Sequence, residues 1–180
     1  CALSTINIGI SRCSGELERV ILVRPGVYTE SVRVTDDVTL VALGAPGAVQ
    51  VVSQGWEPAL VLGGFTVGRA SLFDGSHLAA ASAGSRAHIH GFCFSMRNQQ
   101  QSVAVYCTSG QPTVTRCSIR GTVRVSGERA APTFRYCSVF GSRSCGVRVC
   151  DHASPTIERC MVLRNRLAAV RISHGASPKL

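Results

Sequence analysis

A short pattern returns through the second half of this 180-residue chain, and it leaves little freedom for the fold. Pro112-Thr113-Val114-Thr115-Arg116-Cys117-Ser118-Ile119 recurs as Pro132-Thr133-Phe134-Arg135-Tyr136-Cys137-Ser138-Val139 and as Pro155-Thr156-Ile157-Glu158-Arg159-Cys160-Met161-Val162. The copies lie 20 and 23 residues apart, and Pro178 opens a further copy 23 residues beyond Pro155. A degenerate copy, Ala87-His88-Ile89-His90-Gly91-Phe92-Cys93-Phe94, precedes them. Between the copies runs a second element with apolar residues at alternate positions: Val103/Val105, Val123/Val125, Val147/Val149 and Val170/Ile172. Alternation of period two is the mark of a half-buried strand. A repeat this short has no room for a crossover helix. Two strands and their turns per repeat therefore predict a solenoid: an all-β, right-handed parallel β-helix with coils of roughly 20–25 residues.

Stacking the copies predicts the interior. Ile89/Val114/Phe134/Ile157 form one column, Phe92/Cys117/Cys137/Cys160 a second and Phe94/Ile119/Val139/Val162 a third. The second element supplies Val103/Val123/Val147/Val170 and Val105/Val125/Val149/Ile172. The cysteine column admits three readings: core packing, disulfides between rungs, or a metal site. Phe92 at the aligned position favours packing, as does the absence of any Cys-x-x-Cys pair. Nine cysteines, an odd number, and the place of three of them in one column suit reduced core thiols in an intracellular protein.

The first half repeats less cleanly but reads the same way. Val20–Val23 forms a strand before the Pro25-Gly26 turn, and Ser31–Val34 alternates. Asp36-Asp37 suits a turn, Val38–Leu43 a strand, Gly44-Ala45-Pro46-Gly47 a turn and Ala48–Val52 a strand. Residues 2–11 suit a short amphipathic helix that covers the open end of the solenoid. The stretch Arg69–Ser85, rich in Ala, Ser and Gly, reads either as a loop insertion or as a poorly repeating coil. The whole, residues 1–180, reads as one β-helix domain. With Cys1 at its start and a new repeat opening at its close, it is expected to be a segment of a longer protein. No apolar run approaches the ~20 residues that span a bilayer.

The run Val20-Ile21-Leu22-Val23-Arg24-Pro25-Gly26-Val27-Tyr28-Thr29-Glu30, followed by Val38-Thr39-Leu40-Val41-Ala42-Leu43-Gly44, resembles the first coils of the pectin-lyase-like parallel β-helices. The Pro-Thr-x-x-x-Cys repeats resemble the β-helical body of F-box proteins and the SHC-binding spindle-associated protein class. The resemblance covers nearly the whole chain and implies the β-helix fold. The same superfamily holds polysaccharide lyases and esterases, whose chemistry needs clustered carboxylates. Here the aspartates are Asp36, Asp37, Asp74 and Asp151, none inside the second element. Gln99-Gln100-Gln101 is not followed by aspartate, and His88 and His90 read as outward residues flanking core Ile89. No nucleophile elbow or phosphate loop occurs. The sequence thus assigns no catalytic, cofactor-binding or metal-binding residue.

Charge supplies the remaining signal. The net charge is +9, and 18 of the 19 basic residues are arginine. Such a balance suits an acidic protein, nucleic acid or an acidic membrane surface, or it is a solvated surface and nothing more. Arg124, Arg148 and Arg171 share one repeat position between inward valines, which predicts three outward guanidiniums on successive rungs. Arg116 and Arg159 also align, with Tyr136 between them. Together these five are the candidate partner-binding residues. Two functions stand side by side: a non-enzymatic interaction or scaffold domain of a larger intracellular assembly, or a carbohydrate-active enzyme whose catalytic carboxylates lie outside this segment. In the first, the F-box and spindle resemblances imply a ubiquitin-ligase substrate-binding body or a cytoskeleton-associated subunit.

Overall fold

A computed structural model describes residues 4–13, 19–64, 85–97 and 103–180. The described chain winds through six coils of three short strands each. The first coil contributes β1 (Val20–Val23), β2 (Gly26–Tyr28) and β3 (Val32–Val34), the second β4 (Thr39–Ala42), β5 (Val49–Ser53) and β6 (Leu60–Leu62). The third holds β7 (His88–His90), β8 (Cys93–Met96) and β9 (Val103–Cys107), the fourth β10 (Thr113–Thr115), β11 (Ser118–Arg120) and β12 (Thr122–Ser126). The fifth has β13 (Thr133–Arg135), β14 (Ser138–Phe140) and β15 (Val147–Cys150), the sixth β16 (Thr156–Glu158), β17 (Met161–Leu163) and β18 (Val170–Ile172). Equivalent strands of successive coils pair in parallel, giving three six-stranded sheets: A from β1 to β16, B from β2 to β17 and C from β3 to β18. This is a parallel β-helix, as the repeat predicts.

Each coil has three strands where two were expected. The Pro-Thr-x-x-x-Cys element is itself two strands, one in sheet A and one in sheet B, joined by a sharp corner. The residue at that corner adopts the left-handed conformation: Arg116 at φ 51°, Tyr136 at 53° and Arg159 at 51°. Gly91 fills the same corner at φ 83°. Glycine would have advertised the break, whereas arginine and tyrosine concealed it. The corner's backbone N–H reaches the next coil, from Arg116 to Arg135 O at 3.0 Å and from Tyr136 to Glu158 O at 3.1 Å. The repeated prolines enter sheet A where only their carbonyl is needed; Pro112 O and Pro132 O accept from Thr133 N and Thr156 N.

All five predicted columns hold in part or whole. Register pairs Ile89, Val114, Phe134 and Ile157 in sheet A, and Phe94, Ile119, Val139 and Val162 in sheet B. The cysteine column occupies the corner behind the left-handed residue, next to Phe92. In sheet C the valines of β12, β15 and β18 align, but β9 enters two residues later than expected. A bulge at Thr122/Val123 puts Val105 opposite Val123 and Cys107 opposite Val125. Val103 faces Thr122 instead, and Cys107 becomes a core residue. The run Val103-Ala104-Val105-Tyr106-Cys107 is apolar in both frames, so alternation alone could not choose between them.

At the first coil, α1 (Ile6–Arg12) covers the end of the stack, starting later than the expected residues 2–11. Thr5 caps it, its hydroxyl accepting from Ile8 N at 3.2 Å. Glu30 accepts from the Ile6 and Asn7 amides at 2.8 and 3.1 Å. The Asn7 amide donates to Ser31 O at 2.8 Å, and its oxygen accepts from Arg33 N at 3.0 Å. One side chain thus satisfies the open edge of β3 as a strand would. Pairing of β4 with β7, β5 with β8 and β6 with β9 makes the second and third coils direct neighbours. Of the stretch Arg69–Ser85, residues 69–84 lie outside the described residues.

Candidate functional site

Sheet C brings the three predicted arginines into one column, Arg124 opposite Arg148 and Arg148 opposite Arg171. The column runs back through Tyr106, Val61 and Arg33. Its surroundings differ sharply along its length. Val61, Tyr106 and Arg124 are 1%, 0% and 2% exposed, although all three point away from the core. Arg148 is half-buried and Arg171 open. The expectation that Arg124 presents an outward charge to a partner is therefore wrong. Alternation gives the side of the sheet a residue occupies, but not whether that side is covered. The Arg124 guanidinium lies 5.3 Å from the Tyr106 ring centroid, a cation–π contact that lowers the cost of enclosing the charge. Burial pushes the Tyr106 phenol upward, so it stays neutral.

Beside the ladder, Ser126 Oγ donates to Asp151 Oδ2 at 2.6 Å, and His174 Nδ1 lies 3.7 Å from Asp151 Oδ1. Serine, aspartate and histidine meet here, which the sequence reading did not foresee because the three come from different coils. The serine proton is directed at the carboxylate, whereas nucleophile activation needs it on a base such as imidazole. The cluster ties the corner together: Asp151, His152 and His174 are all left-handed, at φ 57°, 61° and 50°.

Arg116 and Arg159 do not join this ladder. They lie with Tyr136 on the corner between sheets A and B, and all three are exposed. Arg159 Nη1 donates to the Tyr136 hydroxyl at 2.6 Å, and its guanidinium sits 5.5 Å from the ring centroid. Neighbouring Arg135 pairs with Glu158 at 2.8 Å. The five candidate residues thus divide into a sheet C ladder and a separate corner ridge. His88 and His90 are exposed around buried Ile89, and His90 Nδ1 lies 2.9 Å from Thr115 Oγ1.

The thiols serve the backbone. The eight described cysteines are all free. Cys117, Cys137 and Cys160 donate to the carbonyl two residues back, at 3.3, 3.3 and 3.4 Å. Each also reaches a carbonyl of the preceding coil: Ile89 O, Val114 O and Phe134 O. The bond to Cys117 is the main cause that pushes the Cys137 thiol up to about 12, and burial alone takes Cys107 to about 12. Neutral thiols of this kind are poor nucleophiles and poor metal ligands. Among the described residues no group of three or more His, Cys, Asp or Glu could hold a metal. A groove of about 530 Å³ between α1 and β1 is walled mainly by apolar groups, including Ile6, Val20, Leu22 and Tyr28. Among the described residues, no helix is long and apolar enough to cross a membrane.

No protein-family model, curated protein or solved structure matches the chain.

Proposed function

We propose that this chain is a non-enzymatic interaction domain: a rigid β-helical scaffold that holds a protein partner with an acidic surface inside a larger assembly. One observation carries the reading. The fold sets the same basic side chain at the same position of successive coils, as Arg148 and Arg171 stand in sheet C. A solenoid fixes such spacing over a long face, which is what a partner of matching charge requires. The free thiols support an intracellular setting. The resemblance of the Pro-Thr-x-x-x-Cys repeats supports two forms of this scaffold, the substrate-binding body of a ubiquitin ligase and a cytoskeleton-associated subunit.

Affinity purification of the protein from its native cell, followed by mass spectrometry at low and moderate salt, tests the proposal. Stoichiometric recovery of ligase or cytoskeletal subunits, weaker at the higher salt, is the expected result. Recovery of the protein alone at both salts would overturn it and turn attention to a polysaccharide-degradation screen.

A further inference from the structure

The chain's charge is divided along the solenoid. Residues 85–180 hold fourteen Arg and Lys against three Asp and Glu, whereas residues 1–84 hold five against seven. The halves therefore differ as +11 and −2, which sum to the +9 of the whole. Of the three acids in the basic half, Glu158 is bound to Arg135, and Asp151 to Ser126 with His174 beside it. Among the described residues, Arg148 and Arg171 have no acidic partner. They stand in register on adjacent rungs, about 4.8 Å apart along the stack. Two like charges so close in a partly desolvated place repel unless an anion lies between them. Arg148 Nε and, one coil on, Ser173 Oγ are enclosed without a hydrogen-bond partner. With Nε enclosed, the stem of the half-buried Arg148 has less freedom to lose when a ligand binds.

We infer that Arg148 and Arg171 form a two-guanidinium clamp on the outer face of sheet C that takes the carboxylates of an acidic segment of the partner protein. The inference rests on the scaffold reading and names the chemistry its partner must bring. A planar guanidinium donates to both oxygens of one carboxylate, and two forks one rung apart can hold two neighbouring acids or share one. An extended acidic segment sets alternate side chains about 6.6 Å apart on one side, close enough for flexible Glu arms to converge on the two forks. Nucleic acid fits less well. A single strand needs aromatic faces for its bases, and the aromatic in this column, Tyr106, is buried beside Arg124. The exposed Tyr136 stands on the other ridge.

Titration of the whole chain with hexaglutamate at low salt, beside the oligonucleotide dT6 and inorganic phosphate, tests the clamp. Hexaglutamate is expected to bind most tightly. The double substitution Arg148→Gln/Arg171→Gln should weaken it at least about tenfold. Arg116→Gln/Arg159→Gln, which removes the same charge from the corner ridge, should change it less than about twofold. Arg171→Gln alone touches only an open side chain and guards against a folding defect; it should still weaken binding several-fold. Equal losses from both double variants would reduce the site to diffuse charge and overturn the clamp. Tighter binding of dT6, lost with the same two arginines, would assign the ladder to nucleic acid instead. Failure of hexaglutamate to bind also overturns it. If affinity purification recovers a partner whose yield ignores Arg148→Gln/Arg171→Gln, the scaffold stands and the clamp alone falls.

Discussion

At the first coil the edge of β3 is covered by α1, and Val32 and Val34 beneath it are 1% and 0% exposed. At the sixth coil β17 and β18 have a strand on one side only among the described residues. The difference is visible within one column of sheet C, where Val34 in the first coil is 0% exposed and Ile172 in the sixth is 49% exposed. In sheet A, Leu40 and Ile89 are 1% and 0% exposed, while Ile21 and Ile157, at the two ends of the same column, are only partly buried. A residue in a β-helix is buried by its own coil and by the coil on either side. Burial is therefore a property of position in the stack as much as of residue type. The first coil shows how little is needed to replace a neighbour: one amide, on Asn7, bonds both Ser31 and Arg33.

The strongest way to break this comparison is to cut the same column at two heights. Ile89→Ala should cost about 2–5 kcal/mol, as for a fully buried aliphatic side chain. Ile157→Ala, with less surface withdrawn from water, should cost about half as much. Urea denaturation with the slope monitored decides the matter; equal losses would mean that burial is not graded along the stack.

Removing the stand-in strand probes the covered end directly. Asn7→Leu keeps the branching and the number of side-chain heavy atoms but leaves Ser31 O and Arg33 N without their bonds. A loss of about 1–3 kcal/mol is expected. Hydrogen exchange at the Arg33 amide should quicken, while the Ile89 amide, two coils on, keeps its protection. An unchanged Arg33 exchange rate would show that α1 merely rests on the edge.

The thiol chemistry gives a pH test. Cys107 rises from 9.0 to about 12 on folding because burial penalises its thiolate. Below pH 9 the thiol is neutral in both states. Above it the unfolded chain loses this proton and the folded chain keeps it, so stability falls as pH rises toward 12. The slope is at most about 1.4 kcal/mol per pH unit for this residue. Cys107→Val should flatten the alkaline slope by that share. An identical slope in the variant would mean that Cys107 ionises in place.

The sequence made the stack legible because the repeat states its own register: aligning Cys117, Cys137 and Cys160 also aligns the strands before and after them. It could not show what depends on a third dimension. Arg124 carries the pattern of an outward residue and is outward, yet it is enclosed against Tyr106. The bulge before Val123 was hidden because β9 is apolar in both frames. Asn7 and Glu30 signal nothing by composition, since their meaning lies in the edge they meet. The ladder of Arg148 and Arg171 was legible, and its separation from Arg116 and Arg159 was not, because the corner on which the latter pair stands is made by residues other than glycine.

That corner supplies the finest test of how position along the stack shapes each coil. Gly91 occupies it in the third coil and Arg116 in the fourth, both with positive φ. An L side chain in the left-handed region costs about 1–2 kcal/mol, while glycine gives back part of that as chain entropy in the unfolded state. Arg116 is exposed, and its backbone N–H bond to Arg135 O needs no side chain. Arg116→Gly should therefore stabilise the protein by about 0.5–1 kcal/mol. Gly91→Ala should destabilise it by a similar amount. An added Cβ there meets Ala42 no closer than 3.4 Å, so the cost comes from φ and not from a clash. Thermal melting of the two variants should move in opposite directions. If Arg116→Gly lowers the melting temperature instead, the Arg116 side chain makes a stabilising contact at the corner, and the coils from the fourth onward hold their turns differently from the third.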